Sequence, residues 1–198
     1  PKFEFPHFTP PIINGASYLV IKYPAESPQH PGGTATTHTD PWTWAPGNAT
    51  SLKWHSDGTN DYNITRGNNV WATEDRAASN QNTGLPATSS TPDPLTFNFP
   101  PDYSVAPTTP AFQQFAITNL FYWNNLLHDV TYQYGFDEVG GNFQTNNQGR
   151  GGAGGDDVSA LAQSGAGTNN ANFSTPADGG RGRMRMYLFT APNPDRDG

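Results

Sequence analysis

Cysteine is absent from the 198 residues, and charged side chains make up only 14% of them. Without cysteine the protein has no disulfide bond, no thiolate zinc site and no thiol nucleophile. The net charge is −7, and no positive stripe of the kind that binds phosphate backbones is present. The longest apolar runs, such as 19–21 and 120–123, are far shorter than the roughly 20 residues of a membrane-spanning helix. We therefore expect neither nucleic acid nor a membrane as a partner.

Aromatic residues are plentiful, at 13% of a chain that is only 33% hydrophobic. A disordered acidic tail would be rich in charge and poor in aromatics, so we expect a packed core in one domain or two small ones. The chain begins at Pro1, and no positively charged segment followed by an apolar one comes after it. We therefore expect a processed product from which any export signal has been removed.

The strongest secondary-structure signal is a long helix that begins after Thr109 and ends before Gly135. Thr109 is a good N-cap, Pro110 suits the first helical position, and Gly135 suits the C-cap. Apolar residues between them recur at steps of three and four and cover more than one face: Phe112, Phe115, Leu120, Trp123, Leu127, Val130 and Tyr134, with Phe121, Tyr122 and Leu126 beside them. We predict a helix at about 110–134 that is buried nearly all round.

The rest of the chain predicts short strands and hence an α+β fold. Residues 1–108 are interpreted as an irregular β-rich region, and residues 109–198 as the long helix plus a sheet. Strand patterns occur at 16–23, 95–99 and 183–189, while 158–163 fits either a strand or a short helix. The arginines at 181, 183 and 185 alternate as one face of a strand does, which is favoured over a phosphate-binding patch.

Several motifs have both a functional and a plain structural interpretation. Residues 149–154 match the glycine pattern of nucleotide-binding turns, but no apolar strand precedes them, so a tight loop is favoured. His128 and Asp129 allow an imidazole oriented by a carboxylate, although structural hydrogen bonds at the helix surface are favoured. The acidic pairs 137–138 and 156–157 lack the spacing of a calcium loop and are expected to be solvated.

One polar segment has the composition of a peptide-binding edge strand. It consists of Asn169, Asn170, Ala171, Asn172 and Phe173. Asparagine side chains can hydrogen-bond an added strand, and a small alanine leaves room for its backbone. The residues alone favour a peptide-binding edge strand and an ordinary polar turn equally.

Many linked segments, in order, resemble the fungalysin family of secreted zinc metalloendopeptidases. The similarity runs from about residue 54 to 198, and the first 50 residues are less distinctive. The matching segments are 56–60 (SDGTN), 65–69 (TRGNN), 119–125 (NLFYWNN), 128–129 (HD), 132–136 (YQYGF), 141–144 (GNFQ), 149–152 (GRGG), 167–173 (GTNNANF) and 182–187 (GRMRMY).

The resemblance implies the N-terminal part of a catalytic domain with the two-subdomain, thermolysin-like fold. It implies a secreted, extracellular enzyme made as a zymogen, with a propeptide removed near Pro1 and proteins or peptides as substrates. It also implies that Asn169, Asn170, Ala171, Asn172 and Phe173 form the substrate-binding edge strand, and it leaves calcium open as a second metal.

The sequence contains no His-Glu-x-x-His motif, which is the family's zinc-binding helix. Such a motif places two imidazoles one helical turn apart on the metal, with the glutamate as general base. We expect the zinc ligands outside this chain, shortly after Gly198, and no catalytic or metal-binding residue within it, so the chain alone should be inactive. Its expected partner is the C-terminal half of the catalytic domain, which should cover a large apolar patch.

The alternative function is a non-catalytic secreted β module that binds carbohydrate or protein. In that case exposed members of the group Trp42, Trp44, Trp54 and Trp71 would stack on sugar rings.

Overall fold

The structure, a computed structural model, describes residues 13–191 except 26 and 46, together with the backbone of 196 and 197. The predicted processing point near Pro1 lies outside the described residues. One long helix, α1, covers Pro110–Tyr132, and short 3-10 turns cover Pro41–Trp44 and Asn48–Thr50. The strands are β1 Ala16–Val20, β2 Thr36–Thr39, β3 Val70–Glu74, β4 Leu95–Phe97, β5 Val158–Thr168, β6 Ala171–Ser174, β7 Arg183–Phe189 and β8 Arg196–Asp197.

The strands form two sheets. The smaller sheet has the order β2-β1-β4, with β1 antiparallel to β2 and parallel to β4. The larger sheet has the order β3-β5-β7-β6, in which β3, β5 and β7 are parallel and β6 runs antiparallel to β7. The short strand β8 pairs with the last residues of β7. The α+β class predicted from the sequence is confirmed.

Helix α1 packs against both sheets and carries much of the core between them. Ile117, Phe121 and Tyr122 on α1 are fully buried, together with Tyr18 on β1 and Trp54. The rings of Tyr18, His55 and Phe97 lie parallel, with the Tyr18 and Phe97 centroids 5.4 Å apart. Aromatic rings are therefore the largest fully buried side chains, and aliphatic ones such as Val70 and Leu95 pack around them in the same core.

The ends of α1 agree with the sequence prediction. Thr109 precedes the helix with extended backbone angles, and Pro110 occupies the first turn. At the other end the N–H of Phe136 donates to the Thr131 carbonyl and the N–H of Gly135 to the Tyr132 carbonyl. This is the Schellman pattern, in which the residue at C′ adopts a left-handed conformation, and Gly135 does so with φ of 93°.

The prediction that α1 is buried nearly all round is wrong for its C-terminal third. Leu127, Val130 and Tyr134 belong to the predicted apolar stripe, yet they are 49%, 45% and 87% exposed. The residues predicted to widen the stripe, Phe121, Tyr122 and Leu126, are buried, as are Phe112 and Phe115 at the start of the stripe. The two sheets both approach α1 from the side of Phe121 and Tyr122, and among the described residues this leaves the other face uncovered at its C-terminal end, whereas Phe112 and Ala116 are buried at its start.

The ambiguous segment at 158–163 is a strand, and it continues to Thr168 with irregular pairing along β7. The predicted loop at 149–154 is confirmed, and no strand occurs between α1 and β5. Gly152 has a positive φ of 59°, and a Cβ atom there would collide with the Glu138 carbonyl oxygen. This glycine is explained by a tight turn, without a bound phosphate.

The sequence also predicted a boundary between residues 108 and 109. Strand β3, from the first of those regions, pairs with β5 from the second. The boundary stays a prediction.

Candidate functional site

Strand β6 forms an open edge of the larger sheet. It pairs only with β7 among the described residues, and its four side chains, from Ala171 to Ser174, are exposed. The N–H of Tyr187 on β7 donates to the carbonyl of Asn170. Because hydrogen-bonded pairs alternate along an antiparallel ladder, Asn172 faces β7 with its backbone groups, while those of Ala171 and Phe173 point away from the sheet.

The two asparagines before β6 hold the turn that leads into it. Asn169 has a left-handed φ of 57°, and its side chain accepts from the N–H of Thr190 at 2.8 Å. The side-chain oxygen of Asn170 accepts from the N–H of Ala171 at 2.8 Å. Asn169 and Asn170 therefore position the start of β6, and their amides are already engaged with this chain.

The two faces of β6 have different surroundings. Asn172 donates through Nδ2 to the Tyr187 hydroxyl at 2.9 Å, and Arg185 donates to the same oxygen at 3.0 Å. The hydrogen bond from Arg185 lowers the pKa of Tyr187. On the other face, the ring of Phe173 lies 5.6 Å from that of Phe143 and is 41% exposed. Phe173 therefore borders the open edge and is packed from one side only.

Arg185 and Tyr187 were not singled out as site residues by the sequence interpretation. The signal that identifies them is the strand alternation of 183–189, which places Arg183, Arg185 and Tyr187 on one face of β7. Asn172 is the cross-strand neighbour of Arg185 and lies on that same face. Substrate binding by Asn169, Asn170, Ala171, Asn172 and Phe173 stays a prediction.

His128 and Asp129 belong to a buried hydrogen-bond chain. His128 Nδ1 lies 3.0 Å from Asp129 Oδ1, and Trp54 donates through Nε1 to Asp129 Oδ2 at 2.8 Å. Gln144 Nε2 lies 3.2 Å from His128 Nε2 and donates to it. Burial raises the pKa of Asp129, and its bond with His128 opposes that shift. The structural interpretation is favoured, with one correction: the His128 side chain is only 8% exposed and does not lie at the helix surface.

The acidic pairs are engaged by their own neighbours, contrary to the expectation that they are solvated. Glu138 accepts from the Tyr132 hydroxyl at 2.6 Å and pairs with Arg150 at 3.1 Å. Asp156 is buried and accepts from the N–H of Gln144 at 2.9 Å. Asp157 pairs with Arg181 at 2.8 Å. These carboxylates therefore give no support to a calcium site.

The described residues contain no group of three or more His, Asp or Glu side chains that could hold a metal ion. A zinc centre with three protein ligands therefore does not fit this part of the chain. No helix of the described part is long and apolar enough to cross a membrane.

The tryptophans do not form the flat exposed platform that the alternative function requires. Trp54 and Trp42 are 0% and 6% exposed, and Trp54 is hydrogen-bonded to the buried Asp129. Trp71 has the guanidinium carbon of Arg66 at 4.2 Å from its ring centre. Only Trp44 of the four is exposed, and its ring contacts His38. A carbohydrate-binding module is therefore not favoured.

A second open feature among the described residues is an apolar stripe at the C-terminal end of α1 and in the turn that follows it. Leu127, Val130 and Tyr134 follow one another at steps of three and four residues. Such spacing places side chains on one face of a helix. We call these three residues the helix stripe.

Comparison with known proteins agrees with these features. Residues 17–198 match the model of the fungalysin metallopeptidase family (M36). Extracellular metalloproteinase 2 of Arthroderma benhamiae is 40% identical over 195 residues, which are 98% of this chain and 30% of that protein. The corresponding protein of Trichophyton rubrum is 42% identical with the same coverage, and extracellular metalloproteinase 3 of Arthroderma otae is 41% identical, with coverage of 98% and 29%.

The chain thus spans about 30% of the length of the curated relatives that it matches. Two sheets that share one long helix agree with an N-terminal subdomain of such a peptidase. Because the family match covers nearly all of the sequence, the chain belongs to the fungalysin metallopeptidase family.

Proposed function

We propose that this chain is the N-terminal part of the catalytic domain of a secreted, zinc-dependent metalloendopeptidase that hydrolyses peptide bonds in proteins. The observation that carries the proposal is the open edge of β6, where the carbonyl of Ala171 and both backbone groups of Phe173 point away from the sheet, while the Ala171 N–H is held by Asn170. The family match and the relatives named extracellular metalloproteinases support it, including the extracellular location.

The chain's own role is to hold the substrate backbone in an extended form. An extended peptide adds to a sheet edge through main-chain hydrogen bonds, whatever its side chains are. The small side chain of Ala171 leaves room beside those bonds, and the ring of Phe173 borders them. The substrate would thus become a further strand outside β6.

Zinc, when bound, would activate a water molecule and polarise the scissile carbonyl. The described residues offer no ligand set for it, so we place the ligands in the part of the protein outside this chain. This chain by itself should therefore be inactive.

The helix stripe is the surface that we assign to the remainder of the catalytic domain. Leu127, Val130 and Tyr134 are 49%, 45% and 87% exposed, at the C-terminal end of α1 and in the turn after it. The relatives are about three times as long as this chain, so polypeptide is available to cover the stripe. The other proposed partners are protein or peptide substrates and a propeptide before maturation.

The first test is hydrolysis of an unstructured peptide by the complete protein. We expect a chelator to abolish activity and added zinc to restore it. Hydrolysis that continues unchanged in the chelator would contradict the metallopeptidase assignment.

The second test concerns the edge strand and compares two variants at one position. Phe173→Ala removes the ring, whereas Phe173→Pro removes the ring and the outward N–H. Proline is tolerated at an edge when its missing N–H faced outward. We expect kcat/KM for Phe173→Pro to be roughly three- to tenfold below that of Phe173→Ala, since one hydrogen bond contributes about 0.5–1.5 kcal/mol. Equal kcat/KM values in two folded variants would contradict substrate binding along β6.

A further inference from the structure

A cavity lies on the face of the larger sheet that is turned away from α1. Its volume is about 490 Å³. Its walls come from the strands β3, β5 and β7 and from the loop that follows β3. The lining residues are Trp71, residues 80–83, Ser159, Arg181 and Arg183.

The floor of this cavity is one cross-strand row. Trp71 pairs in register with Ser159, and Ser159 pairs with Arg183. The next residues along the strands, Ala72 and Ala160, are fully buried, and Met184 contacts Asn124 of α1. Since side chains alternate between the faces of a sheet, the row of Trp71, Ser159 and Arg183 points to the opposite side.

Four residues of this cavity carry buried polar atoms that have no hydrogen-bond partner within the described part of the chain. The atoms are Trp71 Nε1, Asn82 Oδ1, Ser159 Oγ and Arg183 Nε. The amide of Asn82 is held in place, because its Nδ2 donates to the Trp71 carbonyl at 2.9 Å. Buried polar groups without partners are costly, and several around one cavity indicate that something polar completes them.

The cavity is positively charged. Arg181 and Arg183 line it, and none of the other lining residues is acidic. Arg181 forms a salt bridge with Asp157. Of the two arginines that line the cavity, Arg183 is therefore the one without an acidic partner among the described residues. The guanidinium groups of Arg66 and Arg181 lie 4.2 and 5.4 Å from the centre of the Trp71 ring, so this ring is already occupied by cations.

We propose that this cavity binds a small carboxylate that carries a neighbouring hydroxyl group, that is, a hydroxy acid. Arginine matches the two oxygens of a carboxylate, and Trp71 Nε1 and Ser159 Oγ add uncharged donors. Asn82 Oδ1 is an acceptor. An ionised carboxylate has no proton to donate to it, whereas a hydroxyl group donates one. The site is separate from the proposed substrate edge, because strand β6 lies between Arg183 and the open side of the sheet.

The test is calorimetric titration of the complete protein with malate and, as a matched ligand without the hydroxyl group, succinate. Arg183→Gln removes the guanidinium in the cavity. Arg76→Gln removes the same charge from an exposed arginine outside the cavity, whose guanidinium donates to the Gln163 carbonyl. We expect malate to bind the wild type and Arg76→Gln with the same Kd. In Arg183→Gln the Kd for malate should rise by at least about tenfold. Succinate should bind the wild type several-fold more weakly than malate.

Absence of malate binding, or an equal Kd for Arg183→Gln and Arg76→Gln, would overturn the proposal. Equal affinity for malate and succinate would overturn the assignment of Asn82 to a hydroxyl group. If Arg183→Gln does not fold, Trp71→Phe takes its place, since it keeps a ring and removes only the Nε1–H donor. Unchanged malate binding by that variant would also count against the site.

Discussion

At the scale of single residues, His55 shows how the aromatic core fixes a polar group. Its Nδ1 lies 3.0 Å from the Ile64 carbonyl, so Nδ1 carries the proton and Nε2 accepts from the Tyr18 hydroxyl at 2.7 Å. Burial lowers the pKa of His55 to about 3, against an ordinary value of 6.5. The imidazole is therefore neutral in the folded protein above about pH 3.

His55 should make stability depend on pH with a definite sign. Between about pH 3 and 6.5 the unfolded chain binds a proton at this residue and the folded chain does not, so acidification destabilises the fold. We expect this residue to contribute a loss of about 1.4 kcal/mol in the free energy of unfolding for each pH unit in that window. The measurement is urea unfolding of the wild type and of His55→Phe at several pH values.

The comparison uses the slope with pH and not the stability itself. His55→Phe loses two hydrogen bonds and should be less stable at every pH, but its stability should fall less steeply on acidification. Parallel pH profiles for the two proteins would show that His55 titrates normally in the folded state.

At the scale of elements, α1 combines a strong local signal with a burial pattern that the signal does not determine. Its start at Pro110 and the turn at Gly135 that terminates it follow from proline and glycine at positions that favour them. Its polar members are used inside the core. Asn125 is fully buried, donates to the Phe121 carbonyl and accepts from Asn69.

Gly135 should be replaceable by asparagine at less cost than by alanine. No atom lies within 4 Å of the position of a Cβ atom there, so the cost is conformational and not steric. The left-handed conformation costs an alanine about 1 kcal/mol, whereas asparagine adopts it more readily. We expect Gly135→Ala to lower the free energy of unfolding by about that amount and Gly135→Asn by less. Thermal or urea unfolding of both variants measures it, and equal losses would contradict a left-handed Gly135.

At the scale of the whole molecule, two sheets share one helix, and the described layers do not cover the helix on every side. Helix α1 contacts β1 in the smaller sheet and β3 and β5 in the larger one. The residues of the helix stripe are exposed, so none of the described layers covers them. Exposed apolar surface of this kind drives association when its natural cover is absent.

The 198-residue chain produced alone should therefore self-associate through the helix stripe. We expect the double variant Leu127→Glu with Tyr134→Glu to weaken self-association by at least about tenfold, since charges on an apolar contact must be desolvated. Sedimentation velocity measures the association, and circular dichroism checks that the helix is retained. Leu85→Glu is the matched control, because Leu85 is 69% exposed at a distant point of the sequence and should leave association unchanged. A double variant that associates like the wild type would contradict this role.

The sequence by itself determined the features that depend on neighbours along the chain. The start and the terminating turn of α1, the strand at 183–189 and the loop at 149–154 were all predicted, because capping, glycine conformation and side-chain alternation act over a few residues. The motifs shared with fungalysins are also short runs along the chain, and they identified the family.

Only the tertiary structure decided which apolar residues are covered and which polar groups meet. Leu127 and Leu126 are adjacent and chemically alike, yet one is half exposed and the other is buried, because the sheets lie on one side of α1 only. Trp71, Ser159 and Arg183 are distant in sequence and become one row through the pairing of three strands. No local pattern contains this information, because the energy of burial depends on which distant segments arrive at each face.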